Sequence, residues 1–289
     1  MLTNDEVARG IFLMRLLAPE IAVLVWPGQF VNVKVSPEQD AKDKRQTATC
    51  HPKGLLSLPP ERFFELATCS PLLRRPFSVC EVDRRGGTIS LLWKVFGPGT
   101  QALARHRAGT ILSVIGPLGH GFDLSNTTEP IALVAGGVGV APLPILAMEL
   151  AARGKGFDVL LGSRRADEIW GERELAALGG SVRIATDDGS AGEKGFVTKL
   201  LVKWLQEHTK VEAQVFACGP MPMLAAVAKL CHEARVPAQL SIETMMGCGF
   251  GICMGCPVEP AASVQQFGRY YLACLDGPVF PAETIKIME

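Results

Sequence analysis

The chain has 289 residues, 48% of them hydrophobic and 20% charged, a length that accommodates two domains and a small third. The apolar share supports large cores and a buried subunit interface besides. Twenty-nine basic residues balance twenty-nine acidic ones, so neither nucleic acid nor an anionic membrane is an expected partner.

The N-terminus carries Asp5 and Glu6 and no basic stretch before an apolar core, so no secretory signal is expected. From Val7 to Asp123, short apolar runs alternate with glycine and proline. Ile21 to Val25, Phe30 to Val35, Thr88 to Trp93 and Ile111 to Val114 read as strands of a small antiparallel barrel, with one helix from Thr100 to His106. Inside it stands Arg75-Pro76-Phe77-Ser78. A guanidinium can pair with pyrophosphate, and a strand-end hydroxyl can reach the edge of a flavin ring. Further on, Gly97-Pro98-Gly99-Thr100 opens the helix, where backbone N–H groups can hold phosphate. Each motif alone is common. Their order ahead of Gly116-Pro117-Leu118-Gly119-His120-Gly121-Phe122 points to a flavin. Between Ser36 and Leu73 a charge run and Pro59-Pro60 break the pattern, which reads as an insertion with a short helix near Glu61 to Ala67. Cys50, His51 and Cys69 are read there as loop residues rather than metal ligands.

Ile131 to Ala147 contains no charge, yet its glycines and prolines favour a strand, a glycine turn and a helix start over a bilayer span. The turn is Gly136-Gly137-Val138-Gly139-Val140-Ala141-Pro142, with a helix expected from Pro142 to Arg153. Strands follow at Asp158 to Leu161, Val182 to Ala185 and Val215 to Ala217, with helices at Glu172 to Leu178, Val197 to Glu207 and Pro222 to Ala234. That alternation predicts a doubly wound parallel sheet with ligands at the carboxyl ends of its strands. The loops there are Gly162-Ser163-Arg164-Arg165, Thr186-Asp187-Asp188-Gly189-Ser190 and Cys218-Gly219-Pro220-Met221-Pro222. Arg164 and Arg165 stand where an acid would meet the ribose of NAD. Taken alone they favour a phosphorylated ribose, and the choice between NAD and NADP stays open.

Near the end, Cys248, Cys253 and Cys256 are spaced C-x4-C-x2-C, and Cys274 follows after a gap of 17 residues. This is the plant-type ligand pattern of a [2Fe–2S] cluster, with glycines placed to turn backbone N–H groups toward the sulfurs. Structural zinc would show two C-x2-C pairs, and only Cys253 and Cys256 form one. The remaining five cysteines read as reduced thiols of a cytoplasmic protein. Met245, Met246, Phe250, Ile252 and Met254 are too many apolar groups for a small tail to bury alone, which predicts a docking surface.

Taken in order, these motifs resemble the ferredoxin–NADP reductase superfamily. Within it, Thr186-Asp187-Asp188-Gly189-Ser190, Gly195-Phe196-Val197-Thr198, Met246-Gly247-Cys248-Gly249 and Cys274-Leu275-Asp276-Gly277-Pro278-Val279-Phe280 look like the electron-transfer subunits of dihydroorotate dehydrogenase B. Subunits of sulfhydrogenases and bifurcating NADH–ferredoxin oxidoreductases share the architecture. A zinc-stabilised interaction module is the rival of another class. The resemblance implies an α+β multidomain chain: an FAD-binding antiparallel β-barrel over residues 1–125, an NAD-binding α/β domain over 126–236 and a [2Fe–2S] domain over 237–289. It implies that Arg75, Pro76, Phe77 and Ser78 position flavin, and that Gly97, Gly99 and Thr100 hold its pyrophosphate. Gly136, Gly137 and Gly139 would hold the dinucleotide, with Cys218 and Gly219 near the nicotinamide. The implied partner is an FMN-containing dihydroorotate dehydrogenase catalytic subunit in a heterotetramer of pyrimidine biosynthesis, and no general acid or base for substrate is expected in this chain.

Overall fold

The computed structural model describes residues 1–36, 73–208, 211–261 and 270–287. The expected insertion, with Cys50, His51 and Cys69, lies almost wholly outside the described residues. The first six strands are β1 (Thr3–Ala8), β2 (Ile11–Leu17), β3 (Phe30–Val33), β4 (Arg75–Asp83), β5 (Thr88–Lys94) and β6 (Val114–Leu118). They form one antiparallel sheet in the order β1-β2-β5-β4-β3-β6. Two bonds tie its first strand to the segment entering its last: the Met1 amine donates to the Thr110 carbonyl and the Gly109 N–H to the Met1 carbonyl, both at 2.9 Å. Alternation sends Met14 and Leu16 of β2 inward to Val31, Val33, Leu91 and Trp93, the barrel core.

Two of the expected strands are corrected. Ile21 to Val25 lies in and just beyond helix α1 (Pro19–Leu24). Pro19 suits a first helical turn and Glu20 favours the positive end of the dipole, while Ile21, Ala22 and Val25 turn inward at helical spacing. Five apolar residues in a row concealed that spacing. Ile111 to Val114 contributes only Val114, for β6 runs on through Pro117 and Ile111 is exposed. As an edge strand β6 tolerates a proline, and a bulge opposite Val31 takes up the extra residue. Helix α2 (Pro98–Ala104) begins two residues before the expected Thr100.

The second unit comprises β7 (Ile131–Gly136), α3 (Leu143–Ala152), β8 (Asp158–Ser163), α4 (Glu172–Ala177), β9 (Ser181–Thr186), β10 (Glu193–Lys194), α5 (Val197–Glu207), β11 (Gln214–Cys218), α6 (Met221–Ala234) and β12 (Ala238–Ser241). Its sheet order is β10-β9-β8-β7-β11-β12-β15, where β15 (Val279–Pro281) joins antiparallel and the rest are parallel. Ala132 and Val134 of β7 face the α5–α6 layer, with Leu200, Trp204 and Leu224. Ile131 and Leu133 face the α3–α4 layer, with Leu143, Leu146 and Leu175. The sheet is thus covered on both faces. Helix α3 also sends Ile145 into the barrel core, which explains why the stretch from Ile131 to Ala147 lacks charge. Among the described residues no helix is long and apolar enough to cross a membrane.

The tail does not stand apart. Its strands β12 and β15 belong to the parallel sheet, so the boundary expected after residue 236 falls inside that sheet. Between them the chain makes a two-stranded pair, β13 (Pro257–Val258) with β14 (Tyr271–Leu272), and carries all four cluster-spaced cysteines.

Candidate cofactor and cluster site

Reading outward from β7, the order β9-β8-β7-β11-β12 runs first to second and third on one side, and to fourth and fifth on the other. The crevice therefore opens between β7 and β11, beyond their carboxyl ends. There the turn Gly136–Gly139 meets Cys218 and Gly219. A Cβ on Gly139 would lie 2.4 Å from the Cys218 carbonyl oxygen and 2.6 Å from the Gly219 Cα, so only glycine permits this approach. The crevice widens into a cavity of about 340 Å³ shared by three segments. Pro76, Phe77 and Ser78 come from the barrel, Val138, Ala141, Pro142 and Cys218 from the parallel sheet, and Glu243, Thr244 and Met246 from the chain leaving β12.

Two ionisable groups line this cavity, Cys218 buried and Glu243 with part of its surface exposed. Burial, and then the Glu243 charge, push the Cys218 thiol up to about 12, against a smaller opposite effect from Ser241. Cys218 is therefore a neutral, small, polarizable wall at physiological pH. Burial also raises the Glu243 carboxyl above its ordinary value.

On the barrel side, Arg75 lies against the Gly99 backbone, its Nε 3.1 Å from where a Gly99 Cβ would stand. Its Nη1 donates to the Leu73 carbonyl at 2.8 Å and the Arg74 carbonyl at 3.2 Å. The Thr100 hydroxyl is engaged locally, accepting from the Phe96 and Gly97 N–H groups at 2.8 and 3.1 Å and so shaping the turn rather than facing outward. Phe77 packs its ring on Trp93 at 6.1 Å, while Ser78 lines the cavity half-buried. Phe96, 95% exposed, stands at the cavity rim.

The cysteine loop packs against barrel strand β3, where Asn32 Nδ2 donates to the Cys248 carbonyl. Cys256 and Cys274 are buried with their sulfurs 3.3 Å apart. The Cys248 sulfur accepts N–H bonds from Cys253 at 3.4 Å and Phe250 at 3.5 Å, and these hold its thiol down to about 6. Gly251 N–H donates to the Cys274 sulfur at 3.2 Å, although burial and the adjoining Cys256 thiol push Cys274 up to about 12. Among the described residues no three potential ligands converge as around a single ion. The donor set itself fits a two-iron cluster: four thiols, two of them in contact, with backbone N–H groups aimed at sulfur. On the loop and just before it, Met245 is 89%, Ile252 77%, Met254 63% and Phe250 41% exposed, whereas Met246 packs against the core.

Residues 243–286 match the family described as the iron–sulfur cluster binding domain of dihydroorotate dehydrogenase B, and residues 133–229 match the oxidoreductase NAD-binding domain. The electron transfer subunit of dihydroorotate dehydrogenase B (NAD(+)) from Desulforamulus reducens is 35% identical, over 96% of this chain and 92% of its own. The subunit of the same name from Geobacillus sp. (strain WCH70) is 34% identical, over 98% and 96%. The chain belongs to the family of dihydroorotate dehydrogenase B electron transfer subunits. A solved NADH-dependent reduced ferredoxin–NADP oxidoreductase shares the fold, with a TM-score of 0.73 at 24% identity, over 99% of this chain and 89% of that one.

In this member of the dihydroorotate dehydrogenase B family the flagged motifs converge from far apart in sequence. Pro76, Phe77, Ser78 and Cys218 share one cavity with Val138 of the glycine turn, and Gly139 of that turn meets Cys218 and Gly219. Arg75, Gly97, Gly99 and Thr100 form an adjoining corner. Sequence reasoning missed Asn32, Phe96 and Glu243. Glu243 had a usable signal, an acid just past the carboxyl end of a buried strand of the sheet. Asn32 had none.

Proposed function

We infer that this chain passes electrons between a dihydroorotate-oxidising partner and NAD. When bound, a [2Fe–2S] cluster exchanges single electrons, NAD exchanges hydride, and FAD converts one into the other. The observation that carries this reading is the single cavity between barrel and sheet, with the cysteine loop laid over its wall.

The chain's own residues then have distinct tasks. Arg75 holds the flavin pyrophosphate by a charge-assisted bond, beside the Gly97 and Gly99 backbone in a turn that Thr100 braces. Pro76 and Ser78, which line the cavity, would hold the ring, and Phe77 steadies them from the core. Gly136, Gly137 and Gly139 would admit the dinucleotide, and Cys218 and Gly219 would offer the nicotinamide a neutral surface. Arg165 shares its charge with Asp167 at 3.7 Å and Asp188 at 3.9 Å, which supports NAD over a phosphorylated ribose. Cys248, Cys253, Cys256 and Cys274 ligate the cluster. The FAD-binding unit runs over residues 1–125 and the NAD-binding unit over 126–236, and residues 237–289 form the cluster segment, which lends β12 and β15 to the NAD-binding sheet. The partner is the FMN-containing catalytic subunit, paired with this chain as a heterotetramer of pyrimidine biosynthesis in the cytoplasm, where its thiols stay reduced.

Anaerobic purification tests the reading. Iron, acid-labile sulfide and FAD should be present in a brown-yellow protein, and co-expression with the partner should give dihydroorotate-dependent NAD reduction. A colourless chain holding zinc would overturn it.

A further inference from the structure

Strand β3 has two buried faces. Val31 and Val33 point into the barrel core, while Phe30 and Asn32 point the other way, under the cysteine loop. The register pairs Phe30 with Ser78 and Asn32 with Pro76, so these four side chains share one face, and Phe30, Pro76 and Ser78 line the cavity. On that face Asn32, 1% exposed, donates from Nδ2 to the Cys248 carbonyl at 2.6 Å. Its Oδ1 is buried with no hydrogen-bond partner among the described residues. An apolar residue would avoid that unpaired acceptor, so what the carboxamide contributes is its donor. Among the described residues the donor has one recipient, the backbone of Cys248. Gly249 makes room for it: a Cβ there would stand 2.3 Å from Nδ2, and the residue adopts φ +84°.

We propose that Asn32 is the positioning residue that fixes the cluster loop to the strand pair presenting Pro76 and Ser78, and so sets the separation across which single electrons pass. The inference rests on the function proposed above. Asn32 neither gains nor loses an electron or a proton. It holds the Cys248 end of the loop, while the far end is held elsewhere, where the His120 N–H donates to the Gly277 carbonyl at 2.6 Å. Electron exchange weakens steeply with separation, so a loop free to lift at Cys248 would slow it without emptying either cofactor site.

Two variants of the full chain, loaded with iron, sulfide and FAD, test this. Asn32→Leu keeps the size and deletes the donor, and Asn32→Asp keeps the shape and puts a carboxylate oxygen in the donor's place. Both should hold flavin and cluster at parent levels and bleach flavin with NADH at the parent rate. Passage from flavin to cluster, followed by stopped-flow absorbance, should slow about 10- to 100-fold, as for other outer-shell partners of metal ligands. In the iron- and flavin-free chains, amide exchange at Phe250 and Gly251 should quicken, a readout independent of turnover. Passage at the parent rate in either cluster-bearing variant would overturn the proposal. So would loss of the cluster from both, which would make Asn32 a folding residue of the tail. A parent chain that takes up no iron or flavin would instead defeat the functional reading.

Discussion

Gly139 and Cys248 show how single positions set the chemistry. At Gly139 an added methyl would strike the Cys218 carbonyl, with backbone on both sides and no flexible side chain to yield. Gly139→Ala should part the β7 and β11 loops and cost about 1–3 kcal/mol of stability. Thermal unfolding would register the loss, and titrating flavin bleaching with NADH should show a weakened affinity. Cys248 concerns charge. In the iron-free chain the Cys253 and Phe250 N–H groups favour its thiolate, so alkylation by iodoacetamide should be half-maximal near pH 6, where an ordinary thiol waits until near 9. A folded-state value below the unfolded one stabilises the fold fully above the unfolded value. That contribution fades as pH falls through the folded one, so the iron-free loop should loosen between about pH 9 and 6. Mass spectrometry of peptides labelled across that range checks the order. Cys218, buried and pushed to about 12, should stay unlabelled throughout.

Among the elements, α3 has the most to hold together. Its Leu143, Leu146 and Leu150 pack on the parallel sheet, and Ile145 reaches into the barrel. Ile145→Ala should cost about 2–5 kcal/mol and weaken FAD binding, because it slackens the joint between the two walls of the cavity. Calorimetry and an FAD titration would separate these effects. Strands β7, β8, β9 and β11 and the helices between them were legible in the sequence, helix α5 to its end residues, because short wholly apolar runs alternate there with amphipathic helical stretches, whereas β10, β12 and β15 were not read. The barrel was less so. Strand β1, Thr-Asn-Asp-Glu-Val-Ala, has no apolar alternation to read, and α1 hid its spacing in a continuous apolar run. The cysteines and glycine turns of the site were legible since their meaning lies in short spacing. Asn32 and Glu243 were not, for each acquires its role from a neighbour brought by the fold, Asn32 from one 216 positions away.

For the whole molecule, the exposed apolar tips of the cysteine loop matter most. Met245, Ile252 and Met254 surround the segment where electrons must leave, and the described residues offer them little cover. Ile252→Glu and Met254→Glu together should abolish dihydroorotate-dependent NAD reduction in the complex while sparing NADH oxidation with an artificial flavin acceptor. If both activities fell along with cluster absorbance, these residues would be part of the cluster's own support, and the docking face would lie elsewhere.

The pairing of β12 with β15 carries a consequence for how such a chain is assembled. Ser241 and Val279 are direct partners across that ladder, so everything between them leaves the sheet and returns to the same point. The iron-bearing segment is thus inserted like a cartridge between two neighbouring slots. A short turn joining Ser241 to Val279 would close the ladder and leave a flavin reductase with its outlet removed. Lineages that gain or lose the metal outlet need alter only one loop.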